Sequence, residues 1–252
     1  MIVAGCGGHG SSQQKAVTAY LDDVNRIDQA IVPAVQRVNA AYRGFRAGTK
    51  MPSVPQLRHA ESTILMLRDR VATLDPPAAA LPIHRDLLRL FIDDALVAHE
   101  LTAMAIFLPR FQKTSAPFVA AHRELSAGLR TATKPGAEAA VLERYAARCR
   151  AGLAALRGLT APAVLAPLYN SRVEHLQKAE LLSTELAAAL RRGDRLHVPE
   201  LSMRLEALEG GVEELNGANA EAIAVASYAR RLDDISALET RINRELIKLQ
   251  TR

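Results

Sequence analysis

Residues 17–45 read VTAYLDDVNRIDQAIVPAVQRVNAAYRGF, and this stretch decides the fold class. Its apolar side chains recur three or four positions apart, which is the spacing that places them on one face of an α-helix. The stripe consists of Val17, Leu21, Val24, Ile31, Val35, Val38, Tyr42 and Phe45. Pro33 lies inside the stretch but off the stripe, so we expect a kink there and not the end of the helix.

The same spacing continues along the chain and predicts an all-α fold. Aromatic residues make up 4% of the 252 residues and Trp is absent, so few side chains favour strands and an all-β fold is excluded. Pro109 is expected to end the third helix, since proline interrupts a helical interior. The helices predicted after the first one cover about 54–74, 75–108, 116–130 and 137–159, followed by a start signal at 160–162 and a long helix over 199–249.

The third predicted helix carries the candidate ligand site. Its apolar stripe consists of Ile83, Leu87, Leu90, Asp94, Val97, Leu101, Met104 and Leu108. Asp94 is the one charge on the stripe, and His99 lies within two turns of it, so a carboxylate and an imidazole with shifted pKa values could form a site. In the other interpretation, Asp94 meets an arginine from a neighbouring helix or lies at the wet edge of the bundle.

A shift of 85 residues aligns the chain with itself, which indicates a duplicated helical hairpin. We therefore expect an elongated antiparallel bundle with two related units, about 16–110 and 115–252, preceded by a tether over 1–15. The identical pairs are Leu74 and Leu159, Pro77 and Pro162, Ala78 and Ala163, Pro82 and Pro167, Glu100 and Glu185, Leu101 and Leu186, and Ala103 and Ala188.

The last helix is predicted to be long and similar to a coiled coil. Its stripe keeps its register past Gly210 and Gly211, so we expect the helix to continue through them. A long helix with one apolar face either runs along a bundle or pairs with another chain. We therefore expect self-association, or a partner protein, at the C-terminal helix.

Charge and motif content exclude several functions. The 32 basic and 27 acidic side chains leave a net charge of +5, but the arginines are interspersed with acids, so nucleic-acid binding is not expected. The most apolar stretch, 91–108, contains Asp93, Asp94 and Glu100 and is not expected to span a bilayer. The pair Asp194 and His197 completes no metal-binding pattern. No metal, cofactor or catalytic residue is therefore predicted, and Cys149 is expected to be a buried thiol.

The N-terminal sequence MIVAGCGGHG contains two competing motifs. Gly5, Gly7 and Gly10 match the dinucleotide-binding fingerprint, but that motif works only within a strand–helix–strand unit. Because a helical stripe follows and no second strand does, we reject this interpretation.

Val3-Ala4-Gly5-Cys6 resembles the lipobox of bacterial lipoproteins. The resemblance covers four residues, followed by a polar stretch from Gly7 to Lys15 that suits a flexible tether. It implies a lipid on Cys6 and anchoring to the outer face of the bacterial cell membrane. We expect the basic and apolar parts of the signal to be encoded upstream of Met1.

The expected function is therefore that of a membrane-tethered, extracytoplasmic helical bundle with a binding or scaffolding role. One alternative is a cytosolic regulatory bundle, since two three-helix units are also similar to the phosphate-uptake regulator architecture. A second alternative is an enzyme or sensor that uses Asp94 and His99.

Overall fold

The computed structural model describes residues 9–47, 53–210 and 217–250, with side chains for 12–47, 53–210 and 225–249. These ranges form helices joined by short connections, which confirms the all-α bundle. The α-helices are α1 His9–Arg46, α2 Val54–Ala72, α3 Leu81–Thr131, α4 Pro135–Leu156, α5 Ala166–Arg192, α6 His197–Gly210 and α7 Gly217–Gln250, and two 3₁₀ turns cover Ala78–Ala80 and Ala163–Leu165.

The chain divides into two compact units, and the divisions fall inside α3 and α7. The first unit comprises residues 1–105 and 226–252, and the second comprises 106–225. The helix 81–131 therefore contributes its N-terminal half to the first unit and its C-terminal half to the second. The expected continuity of the last helix through Gly211 lies outside the described residues. Among the helices that are described, none is both long and apolar enough to cross a membrane.

The apolar stripe of α3 lies in the core as predicted. Each of its eight positions, from Ile83 to Leu108, is at least nine-tenths buried, and Asp94 is among them at 8% exposure. The α1 stripe is buried in the same way, except that Val35 is half-buried while its neighbour Ala34 lies in the core. Packing of these stripes, and not helix propensity alone, stabilises the helices.

Pro109 does not end the third helix, which corrects the prediction of a separate helix over about 116–130. The helix continues through Pro109 and Pro117 to Thr131. An interior proline disfavours a helix by about 3 kcal/mol or more. Here buried side chains follow the prolines at helical spacing, and burying each large apolar group contributes roughly 1.5–3 kcal/mol. These side chains are Phe111, Phe118, Ala121 and Leu125.

The 85-residue repeat is visible in the local structure. The 3₁₀ turn at 78–80 followed by a helix start at 81 reappears as a turn at 163–165 followed by a start at 166. α1 ends at Arg46, and α3 ends 85 residues later at Thr131. On this alignment α3 joins the third helix of the first repeat to the first helix of the second repeat.

The pair Asp194 and His197 forms the connection between α5 and α6. Gly193 has a positive φ of 69° and ends α5, and the amide of Asp194 donates to the carbonyl of Ala189 at 3.0 Å. The Asp194 carboxylate then accepts the backbone amide of His197 at 3.3 Å and its Nδ1 at 2.8 Å. This pair therefore caps a helix, and the hydrogen bond from His197 lowers the pKa of Asp194.

Gly128 allows close contact between α3 and α4, so replacing it by alanine should destabilise the second unit. A Cβ added there would lie 2.8 Å from Cγ1 of Val141, which is buried and β-branched. Overpacking of this kind costs about 1–3 kcal/mol, offset by about 1 kcal/mol of helix propensity. We expect a net loss of up to about 2 kcal/mol in the free energy of unfolding, measured by urea denaturation.

Gly136→Ala provides the matched control for Gly128→Ala. No heavy atom lies within 4 Å of a Cβ added at Gly136, so this variant should be neutral or slightly more stable. Combining Gly128→Ala with Val141→Ala should recover part of the loss, because the smaller side chain makes room for the new methyl group. An unchanged stability for Gly128→Ala alone would show that α4 moves away without cost.

Candidate functional site in the second unit

Asp94, the first of the two candidate site residues, lies in the core of the first unit. The residue is 8% exposed. Burial, together with the negative charges of Glu239 on α7 and Asp93 on α3, raises its pKa to about 7. An arginine partner, one of the two alternatives for Asp94, is not found among the described residues, and the charges that shift its pKa are those of two acids.

His99, the second candidate residue, lies against a different helix. Its side chain is 65% exposed, and its Nδ1 lies 3.0 Å from Oε1 of Glu61 on α2. Asp94 instead interacts with Glu239 on α7. The described interactions of Asp94 and His99 therefore involve different helices, and the two side chains do not form one site.

A buried polar cluster in the second unit was not predicted. We call it the Glu209 cluster, and it consists of His122 on α3, Tyr145 on α4, Arg172 and His175 on α5, and Glu209 on α6. The Tyr145 hydroxyl donates to Glu209 Oε1 at 2.6 Å, and His122 Nδ1 donates to Oε2 at 2.7 Å. Glu209 is 8% exposed, and the carboxylate joins three helices at a single point.

Arg172 and His175 on α5 lie near the Glu209 carboxylate. His175 Nε2 lies 3.7 Å from Glu209 Oε1, which is too long for a hydrogen bond. The His175 ring meets the edge of the Phe118 ring at a centroid distance of 5.5 Å, and the Arg172 guanidinium carbon lies 5.4 Å from the centroid of the same ring. Phe118 thus supplies an aromatic surface for both side chains.

Burial determines the protonation of the cluster. It raises the pKa of Glu209, while the hydrogen bonds from Tyr145 and His122 lower it in part. Burial, together with the charge of Arg172, lowers the pKa of His175 to about 4. His175 is therefore neutral near pH 7. Cys149, one turn from Tyr145, is fully buried as predicted, and burial raises its thiol pKa to about 12.

The first unit shows an apolar alternative at two of these positions. On the 85-residue alignment, Arg172 corresponds to Leu87 and His175 to Leu90, and both leucines are buried. Replacing buried charges by well-packed apolar side chains is often neutral or stabilising. The first unit therefore has apolar side chains where the second unit has a buried guanidinium and a buried imidazole.

A groove between α3 and α4 lies beside the cluster. Its volume is about 560 Å³. Its buried floor consists of Ala121, Leu125, Val141 and Tyr145. Its exposed rim consists of Glu124 and Ala127 on α3 and of Arg144, Ala147 and Arg148 on α4. Tyr145 belongs to both features, since its side chain lines the groove and its hydroxyl binds Glu209.

The rim of the groove is positively charged. Within the part of the chain that the structure describes, neither Arg144 nor Arg148 has an ion-pair or hydrogen-bond partner. Both arginines lie on α4, four residues apart and therefore on one side of the helix. Glu124 provides the single acidic side chain of the lining, on the opposite wall.

The hydrogen bonds of Glu209 limit what the cluster can do chemically. Both oxygens of Glu209 already accept hydrogen bonds within the protein, so this carboxylate is not available as a general base. No group of three or more His, Cys, Asp or Glu side chains in the ranges 12–47, 53–210 and 225–249 is arranged to hold a metal ion. The cluster thus supports the groove floor through Tyr145, and the groove presents two cationic groups to solvent.

The sequence contained partial signals for this site. The stripe of α5 includes two polar residues, because intervals of four, three and four separate Leu168, Arg172, His175 and Ala179. Glu209 follows Leu205 by one turn in the same way. The pairing of His122 with Glu209 has no local signal, because the two residues are 87 positions apart.

Comparison with known proteins adds no assignment. The chain matches no protein-family model, no curated protein and no solved structure.

Proposed function

We propose that the chain is an extracytoplasmic lipoprotein of the bacterial cell membrane whose second unit is a ligand-binding module. The observation that carries the binding role is the presence of buried Arg172 and His175 where the first unit has buried Leu87 and Leu90. These two side chains lie around Glu209, which accepts the hydrogen bond of Tyr145 in the floor of the open groove. A binding role at the groove gives the second unit a use for this polar core.

The lipobox-like motif supports the location. Cys6 lies outside the described residues, and α1 begins at His9, so the motif comes shortly before the helical domain. Two or more acyl chains on a cysteine give stable anchoring, since each buried methylene contributes about 0.8 kcal/mol. The net charge of +5 would add a weaker attraction to anionic lipids.

Lipid on Cys6 is the testable consequence of this location. We expect the protein purified from its native membrane to lack residues 1–5 and to carry acyl groups on Cys6, as measured by intact-mass spectrometry. The Cys6→Ser variant, expressed from the native gene, should appear in the soluble fraction without the acyl mass. Cys149→Ser is the matched control, because that thiol is buried in the core and its loss should leave anchoring unchanged. A native protein with residues 1–5 intact and an unmodified Cys6 would contradict the proposed location.

A further inference from the structure

We propose that the α3–α4 groove binds an amphiphilic anion, with a phosphate or carboxylate group on Arg144 and Arg148 and an apolar portion on the groove floor. The inference rests on the proposed binding role and names the class of ligand. It follows from the placement of charge, the shape of the lining and the support beneath it.

The two arginines form the anionic subsite. They lie on successive turns of α4, at the same side of the groove. A guanidinium donates hydrogen bonds in a planar fork that matches phosphate and carboxylate oxygens. Some exposed arginines of this unit are paired, such as Arg191 with Glu143 and Arg150 with Glu180, whereas others, such as Arg123 and Arg130, are not paired with any described residue and lie away from the groove. Arg144 and Arg148 are unpaired within the described residues, so both are available to an anion.

The floor of the groove forms the apolar subsite. Ala121, Leu125 and Val141 offer aliphatic surface, and the small Ala127 and Ala147 keep the rim low. The lining runs over seven residues of α3 and eight of α4, which is about 10 Å of helix. An inorganic anion alone would leave this surface exposed, whereas a short acyl or alkyl chain would cover it.

Glu124 makes the groove selective. Its carboxylate on the α3 wall repels an anion placed midway between the helices. The anionic group is therefore held against α4, and the α3 side favours a hydrogen-bond donor, such as a hydroxyl or ammonium group of the same ligand. This arrangement excludes ligands with two separated negative charges.

The Glu209 cluster supports this site from beneath. Tyr145 lies in the floor, and its hydroxyl is fixed by Glu209, which is in turn held by His122. A side chain fixed in this way keeps the floor in one conformation before the ligand arrives, which favours binding. The buried charge of the second unit then acts by positioning the floor and does not itself touch the ligand.

Isothermal titration calorimetry with decyl phosphate tests the proposal directly. The full chain carrying Cys6→Ser should bind submicellar decyl phosphate at one saturable site, and both decanol and inorganic phosphate should bind at least about tenfold more weakly. The double variant Arg144→Gln/Arg148→Gln should lose about tenfold or more in affinity, as expected for charge-assisted hydrogen bonds. Glu124→Gln should bind more tightly, because it removes the repulsive carboxylate.

Arg123→Gln/Arg130→Gln is the matched control, since it removes the same charge from exposed positions of α3 that do not line the groove. Its affinity should stay within about twofold of the parent value. An equal loss in both double variants would show non-specific attraction and overturn the proposal, as would equal binding of decanol or the absence of decyl phosphate binding.

Different results would contradict the proposed ligand class and the proposed binding role. Solvent extraction of the natively purified protein, followed by mass spectrometry, identifies any molecule that it retains. A retained molecule without an anionic group would contradict the ligand class but support the binding role. If the parent chain and both double variants bind neither decyl phosphate nor any retained molecule, the binding role fails as well.

Discussion

Replacing Asp94 by asparagine should make the protein more stable at pH 8, by up to about 4 kcal/mol. Asp94 is 8% exposed, and the pKa of its carboxyl group is raised to about 7 from an ordinary value of 3.8. Each unit of difference corresponds to about 1.4 kcal/mol of preference for the protonated form. Asparagine has nearly the same shape and carries no charge, so it removes the penalty of ionising this group in the core.

The pH dependence of this effect has a definite sign. The native state holds the Asp94 proton more tightly than the unfolded state does, so folding takes up a proton between about pH 4 and pH 7. The stability associated with the protonated group is present below pH 4 and is lost as the pH rises through 7. Chemical denaturation at pH 4.5, 6 and 8 should show the variant and the parent converging at the lowest pH and separating at the highest.

Asp233→Asn is the matched control for this experiment. Asp233 is exposed on α7 in the same unit, so its replacement should change stability by less than about 0.5 kcal/mol at every pH. If Asp94→Asn instead weakens the protein at pH 8, the Asp94 carboxylate has a cationic partner. Asp93 and Glu239 would then help to bind that cation and would not act by repelling Asp94.

Sequence periodicity predicted the core of the first unit well, including its one charged position. The stripe of α3 was correct at every residue, because burial of one helix face is a local property that spacing reveals. The error at Pro109 has a physical cause. The prediction considered only the hydrogen bond and the steric contact that an interior proline costs a helix. It left out the stabilisation from burying Phe111 and Phe118, which lie farther along the same helix.

The polar site was less predictable because its contacts are not local. Periodicity places Arg172 and His175 on the buried face of α5, and the 85-residue alignment equates them with Leu87 and Leu90. It does not show that Glu209 meets Tyr145, since those residues are 64 positions apart. Which charges face one another depends on how α3, α4, α5 and α6 pack, and that information is absent from any single stripe.

Replacing Glu209 by alanine should destabilise the second unit by about 3–5 kcal/mol. The change leaves the Tyr145 hydroxyl and His122 Nδ1 without their acceptor and removes the carboxylate from the vicinity of Arg172. Removing one partner of a buried polar group is strongly destabilising for this reason. Because α6 packs on α5, we expect the loss as a lower free energy of unfolding in urea and as faster amide exchange in α6.

Glu206→Ala is the matched control, on the same helix and at an exposed position. It should change the free energy of unfolding by less than about 0.5 kcal/mol.

A triple variant, Glu209→Leu with Arg172→Leu and His175→Leu, separates the cluster's stabilising role from its role at the groove. At Arg172 and His175 it follows the leucines of the first unit, so it should recover part of the stability lost in Glu209→Ala. Because Tyr145 still has no acceptor, the triple variant should bind decyl phosphate more weakly than the parent. Recovery of both properties would show that the groove does not depend on the buried carboxylate.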